Sequence, residues 1–214
     1  MRTIRVTGSA QLRLRPDRTV VTMTLQGTEP EYAAALNRAS REAEMLRDLL
    51  EGLSFPRGAL KTRSFQIHAE YEGYEEAGVW KQRFAGYRFE HALAAAFDAD
   101  SERLGAVLTA LSNAPVSPML QLSDAVRDPE AARRELLTLA VADARSKAEL
   151  LAEASGVRLK ELQSVEYTSD PPRFDAPARH SMDAPTAAKA RIEMHYDPED
   201  IVVSDAVTVL WEIE

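Results

Sequence analysis

The sequence predicts an α+β fold: a mainly antiparallel sheet built from hairpins, with three helices packed on one face. Three observations predict it. Strand-like alternation of polar and apolar residues recurs in runs joined by turn residues. Three other segments place apolar residues at helical steps of three and four. The resulting order, roughly ββαββαβαβββ, is dominated by neighbouring strands. Residues 1–214 read as a single domain, without an internal repeat in residue identity.

Residues 3–14 alternate almost without a break, with Ile4, Val6, Gly8, Ala10, Leu12 and Leu14 on one side. Pro16-Asp17 supplies turn chemistry. Residues 19–27 return with Val21, Met23 and Leu25 inward, so the two runs are expected to form an antiparallel hairpin. Thr28-Glu29-Pro30-Glu31 then reads as a capping box. The helix it opens has a stripe of Tyr32, Ala35, Leu36, Ala39, Ala43, Leu46, Leu50 and Leu53, closed by Gly52 and Pro56. A second, longer hairpin follows. One arm, at about 60–72, carries Phe65, Ile67, Ala69 and Tyr71. The other, 81–97, turns Tyr87, Phe89, His91, Leu93, Ala95 and Phe97 inward.

Asp100 caps a short helix bearing Leu104, Val107, Leu108 and Leu111, which Asn113-Ala114-Pro115 ends. Residues 118–126 form a strand leading into the clearest element, 128–156. Asp128 suits the N-cap, Pro129 the first helical position and Gly156 the left-handed stop. Its expected face is Leu137, Ala140, Val141, Ala144, Ala148, Leu151 and Ala152. At 1.5 Å per residue this helix is roughly 40 Å long, and its alanines let another backbone approach closely. A strand at about 159–168 carries Leu162, Val165 and Tyr167. Residues 169–188, with four prolines among alanine, serine and aspartate, predict a flexible Pro/Ala-rich loop. Strand patterning resumes at 189–196 and again at 201–213, where Val203, Val207, Val209, Trp211 and Ile213 share a row. Asp205 breaks that row, as at a strand edge or an interface.

Composition narrows the function. The 45% hydrophobic and 28% charged content is that of a globular chain with a substantial core. A net charge of -8 disfavours nucleic acid as a partner, though a local basic patch escapes that average. Zero cysteines exclude disulfides, zinc thiolates and a cysteine nucleophile. No run reaches the ~20 apolar residues of a transmembrane segment. The N-terminus reads as a strand and not a signal peptide, so the sequence as written predicts a cytoplasmic protein, or a periplasmic one if a leader precedes it.

Catalytic signatures are absent: no G-x-G-x-x-G, P-loop, H-E-x-x-H or G-x-S-x-G occurs. His68, His91, His180 and His195 lack metal-ligand spacing, and His91 sits in an apolar row as a hydrogen-bonded core residue. Glu70, Glu72, Glu75 and Glu76 are the densest carboxylates. They read as a solvated hairpin tip neutralised by Lys81 and Arg83 and not as a calcium loop. Tyr71, Tyr74, Trp80, Tyr87 and Phe89 cluster along the second hairpin, where Tyr74 and Trp80 suit a protein contact. No catalytic, cofactor-binding or metal-binding residue is assigned, and no cofactor is expected.

Three stretches carry a resemblance: IRVTGSAQLRLRPDRTVVTMTL, ADARSKAELLAEASGVRLKELQSVEY and DIVVSDAVTVLWEI. The V-x-G…PD, D-A-R-x-K-A-x-x-L-A…G and terminal V-x-V spacings resemble the SIMPL domain of bacterial oxidative-stress defence and periplasmic immunogenic proteins. Tyr87 after Gly86 also falls at the family's G-Y strand. The family's Pro-Gly before the last strand is replaced here by Pro198-Glu199. The resemblance implies an α+β fold and ring-like or channel-like homo-oligomers, and no established enzyme activity, cofactor or catalytic residue. The expected function is therefore a non-enzymatic, self-assembling protein with a stress- or envelope-related role. A small-molecule or peptide binding module is the alternative, its exposed hairpin edges accepting a partner strand. An enzyme with an unrecognised site is the third, disfavoured reading.

Overall fold

The computed structural model describes residues 2–167, 174, 180–182 and 196–214. Through the strand Leu159–Glu166 and at the last strand the elements follow the predicted order, with a 3-10 turn added at Arg57–Ala59, whereas the strand before the last is His180–Met182. The strands form two sheets, of three and five strands, and the chain divides into two compact units.

The first unit combines β1 (Arg2–Leu14), α3 (Pro129–Ala154), β6 (Leu159–Glu166) and β8 (Ile201–Ile213), with strand order β1-β8-β6. β1 and β8 pair antiparallel without interruption from Arg2↔Ile213 to Leu14↔Ile201. The expected hairpin between the first two strands does not form, because β1 pairs with β8. The inward rows explain the separation. Val6, Gly8 and Ala10 are small and suit a close-packed alanine helix, whereas Val21, Met23 and Leu25 fill a larger core elsewhere.

α3 is built as the sequence predicts at its ends. The Asp128 side chain accepts from Ala131 N at 2.8 Å, and Gly156 takes a φ of 67°. Its buried face differs from the expected one. Ala132, Leu136, Ala140, Ala144, Ala148 and Ala152 are buried, while Val141 and Leu151 are about half exposed. A ridge of four-residue steps turns by about 40° per step at 3.6 residues per turn. The contact stripe therefore winds around the helix, and residues at the right angle but the wrong height fall outside it.

Gly8 is where the ridge meets the sheet. A Cβ there would lie 2.1 Å from Ala140 O and 2.6 Å from Ala144 Cβ, so only glycine admits this approach. On the free edge of β1, Asp143 Oδ2 accepts from Ser9 N at 2.8 Å. Lys147 Nζ donates to the same carboxylate oxygen at 2.6 Å and to Thr7 O at 3.4 Å. Asp205 lies on central strand β8 and is buried, not at an edge. It accepts from the Tyr167 hydroxyl at 2.7 Å, which satisfies a carboxylate that burial would otherwise penalise.

The second unit holds β2 (Arg18–Glu29), α1 (Tyr32–Gly52), β3 (Lys61–Glu76), β4 (Val79–Asp98), α2 (Ser101–Ser112), β5 (Met119–Ala125) and β7 (His180–Met182). Strand order is β3-β4-β2-β5-β7, and β2, β3 and β4 pair antiparallel. The core joins Val21, Met23 and Leu25 to Ala39, Leu46 and Leu50 of α1, to Phe89, Leu93 and Phe97 of β4, and to Leu104 and Leu108 of α2. Asp100 caps α2 by accepting from Glu102 N at 2.9 Å. The capping box expected before α1 is absent. β2 runs on through Glu29, and the Thr28 hydroxyl instead donates to Glu70 at 2.8 Å. α1 ends through a left-handed Ser54 (φ 64°), two residues beyond Gly52. Of its expected stripe, Tyr32 and Leu36 are exposed.

Within the predicted 169–188 loop, residues 180–182 form β7, antiparallel to Leu120–Leu122. Capture at an open sheet edge supplies hydrogen bonds that composition alone does not forecast. Phe174 O accepts from Val126 N at 3.2 Å. The rest of that loop, and the strand expected at 189–196 except Tyr196, lie outside the described residues.

Candidate functional site

The long hairpin sets the second unit apart. β3 and β4 pair from Lys61↔Ala94 to Glu76↔Val79, but β2 accompanies β4 only as far as Glu29↔Tyr87. Residues 70–86 thus form a two-stranded arm, roughly 25 Å long at about 3.4 Å per residue. Its turn is Ala77-Gly78, with φ of 53° and 76°, the mirror-image geometry that matches strand twist. A bulge between Glu70 and Tyr71 marks its base, opposite Gly86. Gly86 has a φ of 145°, and a Cβ there would stand 2.6 Å from Glu29 O. The G-Y pair of the resemblance therefore marks the base of the arm, where it is packed against β2.

Register sorts the arm into two faces, because side chains alternate along each strand. One face carries the cross-strand pairs Tyr71↔Phe84 and Glu75↔Trp80. Edge-to-face contacts link Tyr32 to Tyr87 (5.7 Å between ring centroids), Tyr87 to Phe84 (5.2 Å) and Phe84 to Tyr71 (5.9 Å). The Trp80 ring continues this strip over Gly73, whose missing side chain leaves it room. Trp80 is 75% exposed, Tyr71 59% and Phe84 47%.

The opposite face is charged and internally neutralised. Glu72 pairs with Arg83, and Lys81 donates to Glu76 at 2.6 Å. At the base, Thr28 and then Arg88 hold the Glu70 carboxyl below its ordinary pKa. The acidic tip is thus a set of cross-strand pairs in which only Glu75 faces Trp80. Among the described residues no group of three or more histidine, cysteine or acidic side chains is placed to hold a metal.

His91 is buried and shares a 3.1 Å hydrogen bond with the Thr62 hydroxyl. Phe65 packs edge-to-face against it at 5.0 Å. Burial, and then the positive charge of Arg47, push its pKa down. His68 is exposed on β3 and does not converge with it, and His195 lies outside the described residues.

A second feature has no counterpart in the sequence reading. β3 stops at Lys61, opposite Ala94, so β4 continues from Ala95 to Asp98 without a partner on that side among the described residues. A cleft of about 590 Å³ occupies the gap. Phe55, Pro56, Val20 and Ala96 give it apolar walls, and Arg18, Lys61, Arg63 and Arg103 reach it from three elements, β2, β3 and α2. No periodicity spans those three elements, so no local pattern could have gathered the four.

Two antiparallel sheets, an alanine-ridged helix seated on a glycine, and an aromatic hairpin arm define an α+β protein of the kind the sequence implied. The chain belongs to the SIMPL family, described as a protein of unknown function (DUF541), whose model matches residues 4–211. It is similar to an uncharacterized protein, YggE, of Edwardsiella ictaluri (strain 93-146). The two are 23% identical over 206 residues, covering 96% of this chain and 84% of that protein. No helix among the described residues is long and apolar enough to cross a membrane.

Proposed function

We propose that this SIMPL protein works by self-assembly and not by catalysis, with the aromatic strip of its arm as the contact surface. The observation that carries this reading is the exposure of Tyr71, Trp80 and Phe84 along one face of a protruding ribbon. Contiguous apolar patches on soluble proteins mark interaction sites, and a bare two-stranded ribbon gains from being covered. A second copy is the favoured occupant because the charged face is neutralised in place by Glu72–Arg83 and Glu76–Lys81. Like charge therefore does not keep two arms apart.

Area decides the kind of contact. An aromatic side chain offers about 150–250 Å² of surface, so these three, half to three-quarters exposed, present roughly 300 Å² per copy. Two strips covering each other bury roughly 600 Å², short of the ~1,200 Å² of a stable interface. A heterologous contact, with the arm laid against a different surface of the next copy, gives every chain two contacts and builds a ring where its rotation closes and a filament where it does not. A stress- or envelope-related role is proposed with assembly on the resemblance alone.

The test is solution mass by light scattering across a concentration series, on the natural chain and on a Trp80→Ser/Phe84→Ser variant. A discrete large species for the natural chain, lost in the variant at unchanged thermal midpoint, is expected. A natural chain that stays monomeric at high concentration overturns the proposal.

A further inference from the structure

We infer that the cleft at the end of β3 is a binding site for a small multivalent anion of the phosphate-ester class, with an apolar or planar body. The charge balance of the surrounding unit points there. Away from the cleft, Arg38, Arg47, Arg57, Lys81, Arg83 and Arg88 each pair with a carboxylate, and Arg41 is the one described cation of the unit there that does not. At the cleft, Arg18, Lys61 and Arg63 make no ion pair among the described residues, and Asp98 is the single acidic side chain of the lining. A protein of net charge -8 that gathers four cations around one cavity without matching them has left an electrostatic vacancy for a ligand.

Arg103 gives the site its geometry. Its guanidinium stacks on the Phe55 ring at 4.2 Å from the centroid and lies 5.9 Å from that of Phe97. The two rings brace each other edge-to-face at 5.5 Å. A stacked guanidinium has its plane fixed and its N–H edge free, the arrangement that meets phosphate or carboxylate with two parallel hydrogen bonds. Arg63 stands at the register shift between Thr62 and Ser64, where a bulge redirects a side chain that a regular strand would carry elsewhere. Phe55, Pro56 and Val20 beside the cations supply apolar wall for the body of the ligand. The volume, about 590 Å³, suits a small molecule and not a polymer.

Isothermal titration calorimetry of the full chain at low salt tests this, with inorganic phosphate, pyrophosphate and phenyl phosphate as probes. Pyrophosphate is expected to bind more tightly than phosphate, and phenyl phosphate more tightly than phosphate by using the apolar wall. Arg63→Gln and Lys61→Gln, both exposed, are expected to fold normally and to weaken pyrophosphate by about tenfold each, the usual loss for a charged hydrogen bond. Arg41→Gln, on α1 and outside the lining, is expected to leave binding unchanged. Absence of heat with all three probes overturns the inference, as does binding that the Arg63 and Lys61 variants leave intact. Because the readout is probe affinity and not mass, its failure is separable from failure of assembly.

Discussion

Asp143 on α3 accepts a 2.8 Å hydrogen bond from the backbone N–H of Ser9, an amide on the open edge of β1. That bond, with Lys147 closing on the same carboxylate oxygen, gives the D-A-R-S-K-A block a physical meaning. Asp143 and Lys147 cover a sheet edge, and Ala144 between them is the small residue that lies against Gly8. The most specific run of the family pattern is a helix-to-strand fastening.

Replacing Asp143 by alanine should lower the urea midpoint at pH 7. Lys147 and then the Ser9 amide hold the Asp143 pKa below its ordinary value. A depressed acid contributes stability that is present above the unfolded pKa, near 3.9, and is lost as pH falls through the folded one. The gap between the natural chain and Asp143→Ala should therefore be constant from pH 7 to about 5 and close below about 4. Paired urea titrations across that range decide it, and a gap that persists in acid would assign the effect to packing.

Gly8→Ala should cost about 3 kcal/mol or more, the upper range for overpacking. The added Cβ would strike Ala140 O, a backbone atom of a 26-residue helix that has no independent way to move. Ala144→Gly should not rescue it, because the clash with Ala140 O remains. Denaturant unfolding of the single and double variants measures both statements.

Two substitutions should stabilise. Ser54 and Ala77 hold φ of 64° and 53°, which cost an L residue about 1–2 kcal/mol. Glycine removes that strain but adds about 0.5–1 kcal/mol of chain entropy. Ser54→Gly and Ala77→Gly should each gain roughly 0.5–1 kcal/mol by this difference, and their effects should add, since they lie at separate turns. Unchanged midpoints in urea would mean the neighbouring backbone already relieves the strain.

His91 predicts a second pH effect, in a different window. Its pKa is depressed by burial, so the unfolded chain binds the proton more readily than the folded one. Stability should fall as pH drops below about 6.5, the ordinary histidine value. His91→Gln should flatten that slope while keeping a partner for Thr62. Thermal midpoints from pH 7.5 to 5 in both proteins test it.

Much of this was legible in residue order. Asp100, Asp128 and Gly156 act at the helix ends their chemistry suits, because caps are local. The β4 row from Phe89 to Phe97 is inward because alternation needs only neighbouring residues. Trp80 proved exposed, as a residue near a hairpin tip should be. What failed was non-local. Nothing near β1 indicates that its partner is β8, and a proline-aspartate turn beside β2 argues locally for a hairpin. Thr28 looked like a cap because the carboxylate it serves, Glu70, is 42 positions away. Asp205 was visible as a misfit, but Tyr167, which satisfies it, was not. The cleft cations come from β2, β3 and α2, so only folding brings them together.

The β1–β8 ladder also sets a timetable. Thr7 and Thr208 share a hydroxyl hydrogen bond across 201 positions of chain. At roughly 5–20 residues per second, the ribosome delivers the second strand about 10–40 s after the first. Through that interval β1 has no partner on either side, while β2, α1, β3 and β4 arrive consecutively and can close upon themselves. The nascent protein therefore carries a waiting strand, Ile4 to Leu14, that must be shielded until residues 201–213 have been made. A stop codon ahead of residue 201 would leave it orphaned for good.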